Sequence, residues 1–262
     1  MTIPIYQRVA DDLRGRIVDG SLPPGGQLPT EAELRATYDT TRETVRRGLA
    51  LLINEGLIVS RRPKGYFVRA WTPMVYRPQS EFKRRPPQVD VFTQLIADEG
   101  NGREATQDIG VEIVQPTAAV RDRLQTKEGE LVAVRRRTRR IDGDAYNLND
   151  SYVPLALVQH SDWMNPADVP RGTNAVLAEL GRELVRALDE IYIRMPRPDE
   201  TTRLQLGPGT PVAEHIVTTY AADGAPVQVT INIVPGDRHV IVYERVKDAA
   251  TAEEPRIPWG AQ

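Results

Sequence analysis

Thr41, Arg42, Thr44, Arg46 and Arg47 crowd three guanidinium groups and two hydroxyls into one short stretch. An Arg fork can reach guanine O6 and N7, and hydroxyls at a helix start can hold phosphate, so the cluster suits a polyanion. A second cationic group, Arg61, Arg62 and Lys64 with Gly65, follows soon after. Much further on, Arg135, Arg137 and Arg139 alternate with other residues, which on a strand puts all three on one face. Such a row can bind a small anion, or it can be a salt-bridged solvent face. Catalytic chemistry has no comparable signal. The chain has no cysteine; His160, His215 and His239 are scattered without a metal-ligand spacing; neither a Gly-x-Ser-x-Gly nor a phosphate loop is present. The expectation is therefore a protein that is not an enzyme, with no metal and no cofactor, and with His215 as a satisfied structural residue.

A chain of 262 residues is long enough for two domains with separate cores. Its net charge of −2 is unevenly spread: residues 1–88 hold 15 Lys and Arg against 9 Asp and Glu, net +6, which leaves −8 for the remainder. A basic head on an acidic body fits a polyanionic partner for the head alone. Without cysteine, the simplest address is a reducing cytoplasm. The first residues lack the pattern of a signal peptide, and no apolar run approaches the roughly 18 residues of a membrane span. A soluble, cytoplasmic protein without membrane contact is expected.

The elements that must carry the first two cationic groups can be read in order. Ile5, Tyr6, Val9, Leu13 and Ile17 form the stripe of an amphipathic helix from Pro4 to Asp19. A loop rich in Gly and Pro follows, from Gly20 to Pro29. Thr30-Glu31-Ala32-Glu33 has the spacing of a capping box and starts a short helix to about Tyr38; Thr40-Thr41-Arg42-Glu43 repeats the signal and opens a longer helix to about Asn54. Val45, Leu49, Leu52 and Ile53 give that helix an inner face, leaving the arginines at its start outward. Leu57–Ser60 and Tyr66–Arg69 read as strands joined by Arg61-Arg62-Pro63-Lys64-Gly65, a hairpin with a cationic tip. Helix, short helix, longer helix and basic hairpin is the order of a winged helix-turn-helix.

These residues resemble the GntR family of bacterial regulators. The resemblance is carried by Ile5-Tyr6-Gln7, Ile17-Val18-Asp19-Gly20, Leu22-Pro23-Pro24-Gly25, Leu28-Pro29-Thr30-Glu31-Ala32-Glu33-Leu34, Thr41-Arg42-Glu43-Thr44-Val45-Arg46 and Leu49 to Ile58. It implies that Thr41, Arg42, Thr44 and Arg46 contact operator DNA. Arg47 and the wing residues Arg61, Arg62, Lys64 and Gly65 complete the candidate DNA surface. Two departures stand out. Pro63-Lys64-Gly65-Tyr66 replaces the family's usual Gly-Lys-Gly-Thr wing, and Ala32 stands where some members place a DNA-reaching Arg.

Arg69 to Gln88, with four prolines and Lys83-Arg84-Arg85, reads as a linker. Beyond Val89 an amphipathic segment at Val91–Ala97 gives way to strand-like runs at Gln107–Val114, Leu131–Ile141, Tyr146–Val153, Leu188–Met195, Val212–Tyr220 and Val227–Val234, with a helix at Ala175–Gly181. This is an α+β pattern with a largely antiparallel sheet. It is also repeated: Arg123-Leu124-Gln125, Gly129, Asp142-Gly143 and Val153-Pro154 recur as Arg203-Leu204-Gln205, Gly209, Asp223-Gly224 and Val234-Pro235. Each copy reads as a turn followed by a hairpin, and two copies can leave a groove for a ligand between them.

Val134-x-Arg136-Arg137-x-Arg139, Asp142-Gly143, Asp150-Ser151-Tyr152-Val153-Pro154, Gly224-x-Pro226 and Asp237-Arg238 resemble the UTRA effector domain of the HutC subgroup, which has a chorismate-lyase-like fold without lyase activity. The resemblance implies a small-molecule effector, anionic if it binds Arg137 and Arg139, in a site with Asn149, Thr173 and His239. Asn149 replaces a frequent Glu, and Ala175 and His239 replace Tyr, which argues against a sugar phosphate. The expected layout is a DNA-binding domain at 1–70, a linker at 71–88, an effector-binding and dimerisation domain at 89–246 and a tail at 247–262. The expected function is a homodimeric repressor that binds an inverted-repeat operator in double-stranded DNA under effector control. The alternative is a regulator whose C-terminal domain only dimerises or binds a protein.

Overall fold

The computed structural model describes residues 3–61, 63–70, 74–79, 92 and 103–243. The chain divides into two compact units, the first holding the N-terminal residues to Pro73, the second beginning at Met74. Arg62, Lys83-Arg84-Arg85, the Val91–Ala97 segment apart from Phe92, and the tail at 247–262 lie outside the described residues.

In the first unit α1 (Ile5–Val18), α2 (Glu31–Tyr38) and α3 (Arg42–Asn54) are followed by β1 (Ile58–Arg61) and β2 (Gly65–Val68). Val9, Ala10 and Leu13 of α1 meet Leu34 of α2 and Val45, Leu49 and Leu52 of α3 in one core. Gly48 lets α1 and α3 close on each other, since a Cβ there would lie 2.8 Å from the Tyr6 carbonyl oxygen. The capping box at α2 forms as the spacing predicts, with Thr30 and Glu33 satisfying each other's backbone N–H groups. At α3 the expected second box is absent. The cap is Thr41, one residue later than Thr40, and it accepts from the Thr44 amide, so Glu43 falls inside the first turn and cannot reach back. The hairpin is also tighter than expected: Arg61 pairs with Gly65, which takes φ +102°, a backbone region suited to glycine. Gly25 to Leu28 add a third ribbon, with Leu28 N–H donating to the Tyr66 carbonyl at 2.9 Å.

The second unit is built on one six-stranded antiparallel sheet. Its strands are β4 (Ala105–Val114), β5 (Val132–Ile141), β6 (Asp144–Pro154), β7 (Arg186–Arg194), β8 (Val212–Tyr220) and β9 (Pro226–Pro235), in the order β4-β5-β6-β9-β8-β7. That order is two copies of a three-stranded meander joined through β6 and β9. The repeat expected from sequence is thus the two halves of the sheet. What reads as a turn at the start of each copy is a short helix, α4 (Ala118–Leu124) and α7 (Pro198–Arg203), each followed by a Gln in left-handed conformation, Gln125 and Gln205. Six or seven residues are too few for a helical period to register in sequence.

One face of the sheet is closed by α4, α7 and the clusters around Val134, Tyr152 and Val229, and around Leu148, Leu204 and Val212. On the other face, α5 (Leu155–Val158), a 3-10 turn at Asp162–Met164 and α6 (Thr173–Glu179) pack Val158, Trp163, Val176 and Leu177 against Ala133 and Val153. At the opposite end Met74, Tyr76, Phe92, Tyr146 and Val234 form a separate cluster. Within the stretch expected to be linker, Met74–Tyr76 forms β3, which pairs in parallel with β10 (His239–Ile241).

Candidate functional site

The first candidate is the cleft between α3 and the hairpin, lined by Thr30, Glu31, Arg42, Arg46, Pro63, Lys64 and Tyr66 among others. Capping by Thr41 fixes where α3 begins, and a period of 3.6 then turns Arg42 and Arg46 to one side while Val45 and Leu49 are fully buried. Both arginines share one carboxylate. Arg42 Nε donates to Glu31 Oε2 at 2.5 Å and Arg46 Nε to Oε1 at 2.9 Å. Tyr66 Oη donates to Oε1 at 3.3 Å. The paired cations hold the Glu31 carboxyl below its ordinary range against the opposing effect of burial, and the same pairing raises Arg46.

The remaining candidates differ in setting. Thr41 Oγ1 and Thr44 Oγ1 lie 3.0 Å apart at the start of α3. Arg47 lies over the Tyr6 ring at 4.0 Å, and Arg61 over Phe67 at 5.2 Å, cation–π contacts that hold each guanidinium at the surface. Lys64 is exposed at the wing tip, where its carbonyl accepts from Gln27 Nε2 at 2.8 Å. Glu31 carries no signal of its own in sequence, because it meets its partners 11, 15 and 35 positions away.

The second candidate is the inner face of the large sheet. Period two does put Arg135, Arg137 and Arg139 on one face, and that face is interior: all three are buried. The possibility of a solvent-facing row is therefore overturned. Arg135 serves as a bracket, donating to the backbone carbonyls of Trp163, Asn165 and Ala167, which ties the loop around the 3-10 turn to the sheet. Arg137 donates to Asn149 Oδ1 at 2.8 Å and Ser151 Oγ at 3.2 Å, and Asn149 Nδ2 donates to Asn232 Oδ1 at 2.7 Å. These residues stand directly across the strands, and the row continues from Asn232 to His215. Arg139 pairs in register with Gln107 and Asn147, with the Phe92 ring 5.0 Å from its guanidinium.

Several polar atoms on this face have no hydrogen-bond partner although they are buried: both side-chain atoms of Asn147, Asn232 Nδ2, Gln228 Oε1 and Gln107 Oε1. An unsatisfied buried amide costs about 1–3 kcal/mol, so these atoms call for polar partners, of which water or a bound molecule can supply some. His239 is joined to other partners. Its Nδ1 donates to the Pro235 carbonyl at 3.0 Å, its ring packs on Tyr146, and it lines a small, mostly apolar cavity with Ile193, Pro211 and Val234. Burial pushes its pKa down to about 4, which leaves the ring neutral near pH 7. Thr173 is the first residue of α6, a helix that packs on the same sheet face. Of the five expected effector residues, Arg137 and Asn149 are joined directly by a hydrogen bond.

His215 is fully buried and satisfied, as its place in a strand led one to expect. Asp189 Oδ1 lies 2.7 Å from Nε2 and Tyr76 Oη 2.9 Å from Nδ1. Among the described residues no group of His, Cys, Asp and Glu is arranged to hold a metal ion, and no helix is long and apolar enough to cross a membrane.

Comparison with known proteins follows the same division. The model of bacterial regulatory proteins of the gntR family matches residues 5–68, and that of the UTRA domain matches residues 101–240. The chain is 30% identical over 258 residues to an HTH-type transcriptional regulator of Streptomyces coelicolor, covering 95% of this chain and 96% of that one. It is 24% identical over 245 residues to the HTH-type transcriptional repressor NagR of Bacillus subtilis, covering 92% and 94%. Among solved structures, a GntR-family transcriptional regulator superposes with a TM-score of 0.66 at 28% identity, covering 94% of this chain and 98% of that one. PhnF from Mycobacterium smegmatis shares the fold, with a TM-score of 0.53 at 21% identity over 92% of this chain and all of that one.

Proposed function

The chain belongs to the GntR family of bacterial regulatory proteins, a DNA-binding transcriptional regulator with a UTRA domain rather than an enzyme, and on that premise we propose that it is an effector-controlled repressor. Two copies form a homodimer that presents two recognition helices α3 to successive major grooves of an inverted repeat. Arg42 and Arg46 read base edges there, while Thr41, Thr44, Arg47, Arg61, Lys64 and the Gly65 backbone hold phosphate. β7 supports the dimer: it is an edge strand on which Leu188, Ile191, Tyr192 and Ile193 are all exposed. The protein works in the cytoplasm, where the DNA is.

The effector occupies the inner face of the sheet. Arg137 and Arg139 take an anionic group and Asn149 a neighbouring polar one, with Thr173 and His239 at the margins. The observation that supports this reading is the buried polar row Arg137–Asn149–Asn232 on this face, beside amide atoms of Asn147, Asn232, Gln228 and Gln107 with bonding capacity to spare, in a domain whose family binds small molecules. Binding there biases the spacing of the two DNA heads and so operator affinity.

A duplex selected from a random pool by the full-length protein serves as operator. Arg42→Ala and Arg46→Ala each lose about tenfold or more in affinity for it at fixed salt. A thermal-shift screen of anionic metabolites with neutral analogues then finds a compound that raises the melting temperature and releases the duplex. Arg137→Ala abolishes both responses. A compound that acts equally on wild type and Arg137→Ala would place the effector elsewhere.

A further inference from the structure

Coulomb's law alone disfavours Glu31. A carboxylate in a cleft that faces a polyanion repels it, and this one is only 19% exposed, so water screens it little. Yet it stands at the start of α2 between the two arginines assigned above to base reading, and each guanidinium gives it the same atom, Nε. That choice of atom has a geometric consequence. With Nε anchored, the free Nη1/Nη2 end of each fork points away from the carboxylate, and that end suits a bidentate contact with guanine O6 and N7. Arg42 and Arg46 are one helical turn apart, so a single carboxylate can set both.

A third partner comes from the wing. Tyr66 is half-buried on β2, where the family pattern has Thr; its ring packs against the core of the head and its hydroxyl donates to Glu31 Oε1. The β2 backbone beside it is fixed by the Leu28 N–H bond to the Tyr66 carbonyl and by Gln27 at Lys64. The carboxylate is thereby held from both sides of the cleft.

Resting on the assignment of base reading to Arg42 and Arg46, we propose that Glu31 and Tyr66 are positioning residues for sequence recognition. They fix the directions of the two arginine forks before DNA arrives, so the wing influences base choice through Tyr66 and Glu31 as well as by touching DNA itself. Ordering these long side chains in advance lowers the entropy lost on binding and confines the gain to the duplex that matches the preset directions. The device thus trades non-specific attraction for discrimination.

Glu31→Gln separates the two roles by sign. The experiment measures affinity of the full-length protein for its selected duplex and for a scrambled duplex of the same composition, from 50 to 200 mM salt. Loss of the carboxylate's charge leaves scrambled binding equal or tighter, while loss of positioning weakens selected binding about tenfold. Tyr66→Phe, which keeps the ring, weakens selected binding about threefold with scrambled binding unchanged. Selection repeated with each variant returns a broader base preference. If Glu31→Gln tightened both duplexes alike and kept their ratio, Glu31 would be a repelling charge only. Equal loss on both duplexes, with Tyr66→Phe silent, would make it a structural bracket. Either result overturns the proposal. Arg42→Ala and Arg46→Ala test the underlying assignment separately, because their failure to weaken selected binding would sink the base-reading assignment itself.

Discussion

Tyr76 Oη meets His215 Nδ1 at 2.9 Å, and this bond ties the first strand of the C-terminal unit to β8 of its large sheet. Nε2 of the same ring is taken by Asp189, so the Tyr76 hydroxyl is the partner of Nδ1. Tyr76→Phe leaves a fully buried ring nitrogen unsatisfied. The expected cost is about 1–3 kcal/mol, seen in denaturant unfolding of the C-terminal unit. An unchanged midpoint would mean that another donor replaces the hydroxyl.

Arg135 and Arg137 sit two residues apart on one face and should respond differently to truncation. Arg135→Ala removes the donor from one buried and two part-buried carbonyls and opens a cavity beneath the 3-10 turn, so a loss of roughly 2–3 kcal/mol is expected. Hydrogen exchange should rise first in Ser161–Val169. Stability equal to wild type would remove Arg135 from its bracketing role.

Gly48→Ala runs against helix propensity. In an open helix the change stabilises by about 1 kcal/mol. Here the new Cβ would meet the Tyr6 carbonyl oxygen at 2.8 Å and Val9 at 3.1 Å, and backbone cannot yield cheaply. The variant should be destabilised by roughly 1–3 kcal/mol in the DNA-binding unit alone. Calorimetry that resolves the two units checks both the sign and the location.

His239 gives the C-terminal unit an acid-side weakness. Its folded pKa lies near 4 and its unfolded value near 6.5, so the unfolded chain takes up the proton first. Stability from this group is complete above about pH 6.5 and falls as pH drops toward 4. His239→Phe should flatten the curve over that interval relative to wild type, where a parallel decline in both proteins would assign the effect to other groups.

How much of this was legible beforehand depends on the range of each interaction. The α2 capping box is local, four residues with matched donors and acceptors, and it forms as its spacing predicts. At α3 the spacing pointed to Thr40 as the cap, and the helix instead starts after Thr41, whose hydroxyl accepts from the Thr44 amide. Period two placed Arg135, Arg137 and Arg139 together but could not say which face of the sheet was covered. The cover comes from α5, the 3-10 turn and α6, some 20 to 40 residues away in sequence. β3 and β10 are three residues each and pair across more than 160 positions, so no local pattern announces them. Glu31 escaped notice for the same reason, and within the Thr30 box the carboxylate that sequence rules single out is Glu33.

The doubled meander gives one position two uses. Val132 pairs with Pro154 as Val212 pairs with Pro235, so three residues along each copy Arg135 and His215 occupy equivalent places. One position of the meander thus holds an arginine that secures a roof in the first copy and a histidine that secures an entering strand in the second. The two uses can coexist because each half supplies its own hairpin and short helix. One copy can then anchor the cover of the sheet while the other keeps its hold on β3.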